Sequence, residues 1–296
     1  MKAADFLYHR PVTVAEALNL LRDYAGDARV LAGGQSLMPM LNLRLSRPSA
    51  LIDIGALEDL DRVEVEGEET EIGARTPYWR IETDPLIAER LPLLPQMIRY
   101  VGDRQVRNRG TFGGSLVQCD PTGEMPLATL VLGGQIEVMR AGGQVRRIAA
   151  EDFFDGSYAA AIDPDELLMS VRFGRHPDYF AFSEVNRRHN DFAVVSVAVA
   201  ADLGESGALR NVRVGLGGVD ETPLLAHEAM VRAEGAVLNS ATIAEIAAIG
   251  ATACDPPDDI RASAEYRRHL TEVYIARTLE KLRTATDAVA KEETTS

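Results

Sequence analysis

Two glycine pairs constrain this chain more than any other feature of its sequence. Ala32-Gly33-Gly34-Gln35-Ser36 follows the short apolar run that ends in Val30-Leu31, and Thr111-Phe112-Gly113-Gly114-Ser115 stands far downstream. In each, a small residue leads into Gly-Gly, directly or across one spacer, with a hydroxyl residue close behind. A glycine pair lets the main chain turn with φ > 0 and approach a ligand closely, leaving amide N–H groups pointing outward. Such groups suit a diphosphate, and the hydroxyls of Ser36, Thr111 and Ser115 add neutral donors. Either segment alone also reads as an ordinary tight turn; the recurrence gives the ligand reading its weight. Neither is a GxGxxG that opens a helix, and no GxxxxGK[ST] occurs, so the Rossmann and phosphate-loop modes of nucleotide binding have no support. Gly215-Leu216-Gly217-Gly218 reads as a strand end.

Charge narrows how phosphates are held. Lys plus Arg number 31 against 45 Asp plus Glu, a formal charge of −14, which repels nucleic acid and anionic membrane over most of the surface. A phosphate-bearing ligand must therefore be gripped by backbone dipoles and a few placed arginines. The cysteines, Cys119 and Cys254, form no CxxC and no Cys/His cluster, so the chain brings neither an iron–sulfur ligand set nor a zinc site. The histidines are scattered, with no metal-binding pair among them. MKAADFLYHRP has no apolar run suited to a signal peptide, and no stretch reaches the ~18 apolar residues of a membrane span; a cytoplasmic location is the expectation.

A chain of 296 residues predicts two domains or more, at roughly 100–200 residues each. Thr13 and Glu16 form a capping box that opens a helix, which Gly26 is placed to stop. Strands at 29–31 and 50–54 flank a loop, which suggests a small, partly parallel sheet. A hairpin follows within 61–75, then helices over 77–81 and 85–100, the second glycine loop, an apolar helix over 127–132, a hairpin over 135–148 and a strand over 166–173. The pattern changes near Gly174 to Pro177. Beyond it, strands at 179–187, 192–202 and 212–219 predict a three-stranded antiparallel sheet, and helices at 224–234, 240–253 and about 263–285 make this an α+β module.

Four ordered blocks resemble a known family, the FAD-binding medium subunit of the molybdenum hydroxylases, which includes the xanthine dehydrogenase and carbon monoxide dehydrogenase group. AGGQSLMPMLNLRL (32–45) is similar to its first flavin loop, and VRNRGTFGGSL (106–116) with DPTGEMP (120–126) to its second. NRRHNDFAVVSVA (186–198) and SAEYRRHL (263–270) are similar to signatures of its C-terminal domain. The resemblance spans about residues 3–283. It implies an α+β fold: a vanillyl-alcohol-oxidase (PCMH)-type FAD-binding domain of two α/β subdomains, 1–57 and 58–175, then a C-terminal α+β domain over 176–286 and a flexible tail over 287–296.

By the same resemblance, Leu31, Ala32, Gly33, Gly34, Gln35, Ser36 and Leu37 wrap the diphosphate and ribityl chain. Thr111, Gly114 and Ser115 contact the flavin, Glu124 stands where an acidic group commonly meets the adenosine ribose hydroxyls, and Leu168 is an apolar contact in the closing strand. Val101, Arg109 and Asp120 complete the implied set of cofactor contacts; no catalytic residue and no metal ligand is implied. Some relatives carry a Lys near Ser183-Glu184, and the first loop often has His where Gln35 stands. The implied function is electron transfer. FAD in this chain takes electrons from [2Fe–2S] clusters of a small iron–sulfur subunit, which receives them from a large molybdopterin subunit, and delivers them to an external acceptor; the assembly is a dimer of heterotrimers.

Other residues carry weaker signals. Arg107 and Arg109 read equally as neutralisers of ligand charge and as ion-paired surface arginines. Arg187-Arg188 with Asp191 reads as a solvated strand end with a local pair, Cys119 as a small buried thiol, and His189 as a surface or satisfied histidine. Trp79, Tyr266 and Tyr274 read as packing residues. No Ser/His/Asp grouping supports hydrolysis. Two other functions fit the fold, a stand-alone flavin oxidase or dehydrogenase and a non-catalytic assembly protein that has lost its cofactor. Substrate and electron acceptor are not legible in this chain.

Overall fold

The computed structural model describes residues 2–188 and 190–293. The chain opens with β1 (Leu7–His9), α1 (Val14–Tyr24), β2 (Ala28–Leu31), α2 (Leu37–Asn42) and β3 (Ala50–Asp53). The three strands form a fully parallel sheet in the order β1-β3-β2. Thr13 caps α1 as expected, its hydroxyl accepting from the Glu16 amide, while the Glu16 carboxylate accepts from Val12 instead of from the cap itself. Ala25 (φ 47°) ends the helix one residue before Gly26 (φ 92°). Ala17, Leu18 and Leu21 bury one helical stripe against the sheet, together with Ala50 and Ile52.

The next stretch comprises β4 (Val63–Glu66), β5 (Glu69–Gly73), α3 (Tyr78–Thr83), α4 (Pro85–Arg90), α5 (Leu93–Ile98), α6 (Arg104–Arg109), α7 (Phe112–Gln118), α8 (Glu124–Val131), β6 (Gln135–Arg140), β7 (Val145–Ala149), α9 (Ala150–Phe153), β8 (Phe154–Gly156), β9 (Ala159–Ala160) and β10 (Glu166–Phe173). An antiparallel sheet in the order β4-β5-β10-β6-β7 backs the helices. The single helix expected over 85–100 is broken into α4 and α5. Pro92 has no N–H and pushes the residue before it out of the helical region, and Leu91 accordingly sits at φ −138°, ψ 57°.

The last part holds β11 (Tyr179–Asn186), β12 (Ala193–Leu203), β13 (Leu209–Gly217), β14 (Leu224–Leu225), α10 (His227–Ala233), α11 (Ser240–Ala251) and α12 (Ala264–Glu293). Its antiparallel sheet has four strands, not three, because Leu224 and Leu225 pair with Leu216 and Gly215 before α10 begins. The last helix continues to Glu293, well into the expected tail, whose final three residues lie outside the described ones.

Both faces of this C-terminal sheet are covered. Phe182, Ala198 and Ala200 join the main core with α5, α7 and α8, whereas Val197, Val199 and Val214 pack with α11 and α12. Every residue of α8 is buried. That helix lies between α5 and α7 on one side and the C-terminal sheet on the other, and it carries Glu124 at its first position. Among the described residues no helix is long and apolar enough to cross a membrane.

Candidate functional site

The first glycine segment leaves β2 and turns into α2. Gly34 has φ 73°, a conformation that favours glycine, but Gly33 is needed for another reason. A Cβ on Gly33 would lie 2.0 Å from the Arg109 carbonyl oxygen, so the segment rests directly on the backbone that leads into the second glycine pair. Among the described residues, the amides of Gly33, Gly34, Gln35 and Ser36 donate to no protein group; the first hydrogen bonds of the turn are Met38 to Gly34 and Met40 to Ser36. Gln35 folds its amide nitrogen back onto the Gly33 carbonyl at 3.0 Å. Successive free N–H groups at a helix start make an anion-binding concavity. It requires no lysine.

The second glycine pair is not a loop, in contrast to the expectation, and its amides are not free. Thr111 is the N-cap of α7, accepting from Gly114 at 3.3 Å. The Phe112 and Gly113 amides donate to the Thr76 and Ala74 carbonyls at 2.9 and 2.8 Å, and Ser115 donates to the Thr111 carbonyl at 3.1 Å. What these glycines supply is space. A Cβ on Gly113 would meet Ala74 at 2.7 Å, and one on Gly114 would stand 2.7 Å from the Thr111 hydroxyl and 3.9 Å from Ala32. Ala32 and Gly114 therefore face each other, and the two segments expected from sequence do form one place. One segment donates, and the other leaves room.

Below α7 the site turns acidic. Asp120 closes the DPTG turn by accepting from the Thr122 amide and hydroxyl at 2.9 and 2.8 Å, and its second oxygen accepts from Tyr158 at 3.4 Å. Glu124 is buried with no ion pair among the described residues; burial, and then the Asp120 charge, raise its carboxyl above the usual range. Burial and the nearby Glu124 charge likewise push up Glu184 on β11, which is relieved in part by the Asn186 side chain. Tyr78 on α3 is buried, which raises its phenol well above the ordinary value; Ser115 offsets this in part, and the Glu124 and Asp120 charges add to it. Sequence reading missed Tyr78 and left Glu184 outside the contact set. Their only signal was a carboxylate in a strand that is otherwise apolar toward the core.

The remaining expected contacts are more dispersed. Leu31 ends β2 and Leu37 begins α2, on either side of the free amides. Arg109 ends α6 exposed and contributes its carbonyl under Gly33. Val101 lies between α5 and α6, its carbonyl held by Arg107 at 3.1 Å. Leu168 is buried in β10 opposite Val138, its side chain in the main core. Arg107 is committed to Glu82 at 3.0 Å and to the Val101 and Gly102 carbonyls, which decides for the ion-paired reading. Arg187 donates to the Ile260 carbonyl at 3.2 Å, and no pair with Asp191 occurs among the described residues. Cys119 is a buried thiol raised by burial to about 11. Trp79 and Tyr266 are about half exposed, not packed; Tyr274 packs on the C-terminal core. His189 lies outside the described residues. Among the described residues no His/Cys/Asp/Glu group suited to a metal ion occurs.

Fold and site together define a class: a chain in which an α/β pair of units carries a row of free amides suited to an anion, with a C-terminal α+β unit beside them. Comparison with known proteins agrees. The model of the FAD binding domain in molybdopterin dehydrogenase matches residues 3–175, and that of the CO dehydrogenase flavoprotein C-terminal domain matches 180–282. The carbon monoxide dehydrogenase medium chain of Afipia carboxidovorans is 33% identical over 95% of this chain and 98% of its own length. The 6-hydroxypseudooxynicotine dehydrogenase complex subunit alpha of Paenarthrobacter nicotinovorans is 34% identical over 95% of both. The structure of quinoline 2-oxidoreductase from Pseudomonas putida 86 superposes with a TM-score of 0.92 at 33% identity, covering 97% of this chain and 99% of that one. The chain belongs to the family of FAD-binding medium subunits of molybdopterin-dependent dehydrogenases.

Proposed function

We propose that this chain is the FAD-binding, electron-transfer subunit of a heteromeric molybdenum-containing hydroxylase. The observation that carries the reading is the row of free amides at Gly33, Gly34, Gln35 and Ser36, set against Gly114, which itself carries no side chain and faces Ala32. It is a cradle for a diphosphate in a protein with net charge −14, and FAD fits it. Bound FAD supplies the capacity to accept electrons singly and release them one or two at a time. The protein's own residues hold and orient. The 33–36 amides grip the diphosphate, while Thr111 and Ser115 offer hydroxyls and fix the start of α7. Asp120 shapes the turn that presents Glu124, in the position suited to ribose hydroxyls, and Leu31, Leu37, Val101, Arg109 and Leu168 complete the surround.

The division of labour follows from the cysteines. Cys119 and Cys254 are both buried and far apart in sequence, so the chain offers no cluster ligand set. Electrons reach it from [2Fe–2S] clusters of a small subunit, itself fed by a large molybdopterin subunit, and leave to an external acceptor; the assembly is a dimer of heterotrimers in the cytoplasm. Within the chain, 1–57 and 58–175 act as the flavin-binding subdomains and 176–286 as the C-terminal domain. Purification of the tagged chain from its native host tests the reading. The expected result is a yellow protein that releases FAD on denaturation and brings down a cysteine-rich small chain and a molybdenum-containing large one. A colourless chain, or a lone chain that oxidises a substrate, overturns it.

A further inference from the structure

Glu184, Ser196 and Gly217 stand directly opposite one another across β11, β12 and β13, so they share one face of the sheet. That face is the one α8 covers. A Cβ on Gly217 would lie 2.5 Å from the Ser196 hydroxyl, 3.5 Å from Leu127 and 3.6 Å from the Pro121 carbonyl, and the Gly218 amide donates to Pro121 at 2.8 Å. Glu124 precedes Leu127 by three residues and so lies on the same side of α8. Two carboxyl groups are thereby brought together at the joint between the flavin-binding region and the C-terminal sheet. One oxygen of Glu184 and the Ser196 hydroxyl are buried with no hydrogen-bond partner, an arrangement that costs free energy unless a proton or ligand group answers it.

Among the described residues no cation relieves this cluster. The groups that face it are Asp120 on the turn before α8, Tyr78 and Ser115 from α3 and α7, Asn186 donating to Glu184 at 3.1 Å, and Ser196 from β12. From α12, Arg267 is bound to the Val194 and Gly218 carbonyls and Asp259, and Lys281 to the Phe182 carbonyl. Neither Glu124 nor Glu184 has an Arg or Lys partner among the described residues. Two adjacent buried carboxylates do not both ionise readily.

We infer that Glu124 and Glu184 hold one proton between them, and that this shared proton is part of the cofactor site. The singly charged pair has an O–H donor to offer and adds one negative charge; the doubly charged pair has none to offer and repels an anionic dinucleotide. FAD retention is therefore coupled to pH through Glu184, a residue outside the glycine segments. This rests on the flavin reading proposed above.

The test titrates FAD into the apoprotein, followed by flavin fluorescence, at about pH 6 and about pH 10. Wild-type affinity falls by about tenfold over that range, the change that one further ionisation produces about one pH unit above its pKa, Glu184 being pushed up to about 9. Glu184→Gln, which cannot ionise, binds with an affinity that changes less than about threefold. Thermal melts of the apoprotein over the same range read the proton without the cofactor. The wild type loses stability as pH rises, because a carboxyl raised in the folded state favours folding only while protonated, and E184Q does not follow it. If E184Q does not fold, Glu124→Gln takes its place with the same expectation. Wild-type affinity and melting point that both stay flat, or an E184Q profile that matches the wild type, overturn the inference. Failure of the wild type to take up FAD at any pH overturns the flavin reading instead, and the melts still decide the shared proton.

Discussion

Gly33 and Thr111 show how single residues set the site. Gly33→Ala places a methyl carbon 2.0 Å from the Arg109 carbonyl, where backbone cannot yield cheaply, so the free amides must move. The expected outcome is a protein that folds yet retains less than about a tenth of the wild-type FAD, as a loss of about 1.4 kcal/mol of grip implies, read by absorbance after purification. Thr111→Ala removes the cap of α7 and costs about 1 kcal/mol of stability, measured by urea unfolding. A pH effect of opposite sign to that of Glu184 belongs to Glu166. Burial alone would raise its carboxyl, but Arg146, the Asp163 amide and Arg140 outweigh burial and pull it down to about 2. Its contribution is present above the ordinary carboxylate pKa of about 4.3 and is lost as pH falls from there through about 2. Glu166→Gln is expected to be about 1–2 kcal/mol less stable at neutral pH, a modest figure because both arginines are partly solvated. Urea midpoints for the two proteins should converge near the acid end.

At the scale of elements, α8 is the part on which the site depends most. It is buried on every side, and Gly215 and Gly217 of β13 let it sit against the sheet. A Cβ on Gly215 would meet Val131 at 2.3 Å and Leu127 at 2.8 Å. Gly215→Ala therefore overpacks this joint; a loss of about 1–3 kcal/mol in unfolding free energy is expected, together with weaker FAD retention because Glu124 moves with the helix. Sequence alone suggested that Gly215-Leu216-Gly217-Gly218 ended a strand, and it does. That its glycines exist to receive a helix was not legible, because the partner lies in a distant segment. Periodicity and capping located α1, the β4–β5 and β6–β7 hairpins and β10 nearly to the residue, since those signals are local. The split between α4 and α5 at Pro92 was also local and was missed, because the apolar spacing continues across it.

For the molecule as a whole, the decisive quantity is charge against ligand. A diphosphate held by backbone amides and not by lysines should bind with weak salt dependence: FAD affinity is expected to change less than about threefold between low and about 0.5 M salt, where a basic patch would be strongly screened. Equilibrium dialysis checks this. The ordered blocks in the sequence determined the fold class, the two glycine segments and the acidic DPTGE turn, because each is a short run whose chemistry is carried by adjacent residues. Tertiary structure alone decided that the two glycine pairs play unlike roles. Both read as free turns, yet hydrogen bonds to Thr76, Ala74 and Thr111 consume the amides of the second and leave only those of the first. Tertiary structure alone also placed Glu184 beside Glu124, since a strand and a helix remote in sequence meet only when apolar surface on α8 and on the C-terminal sheet is removed from water together.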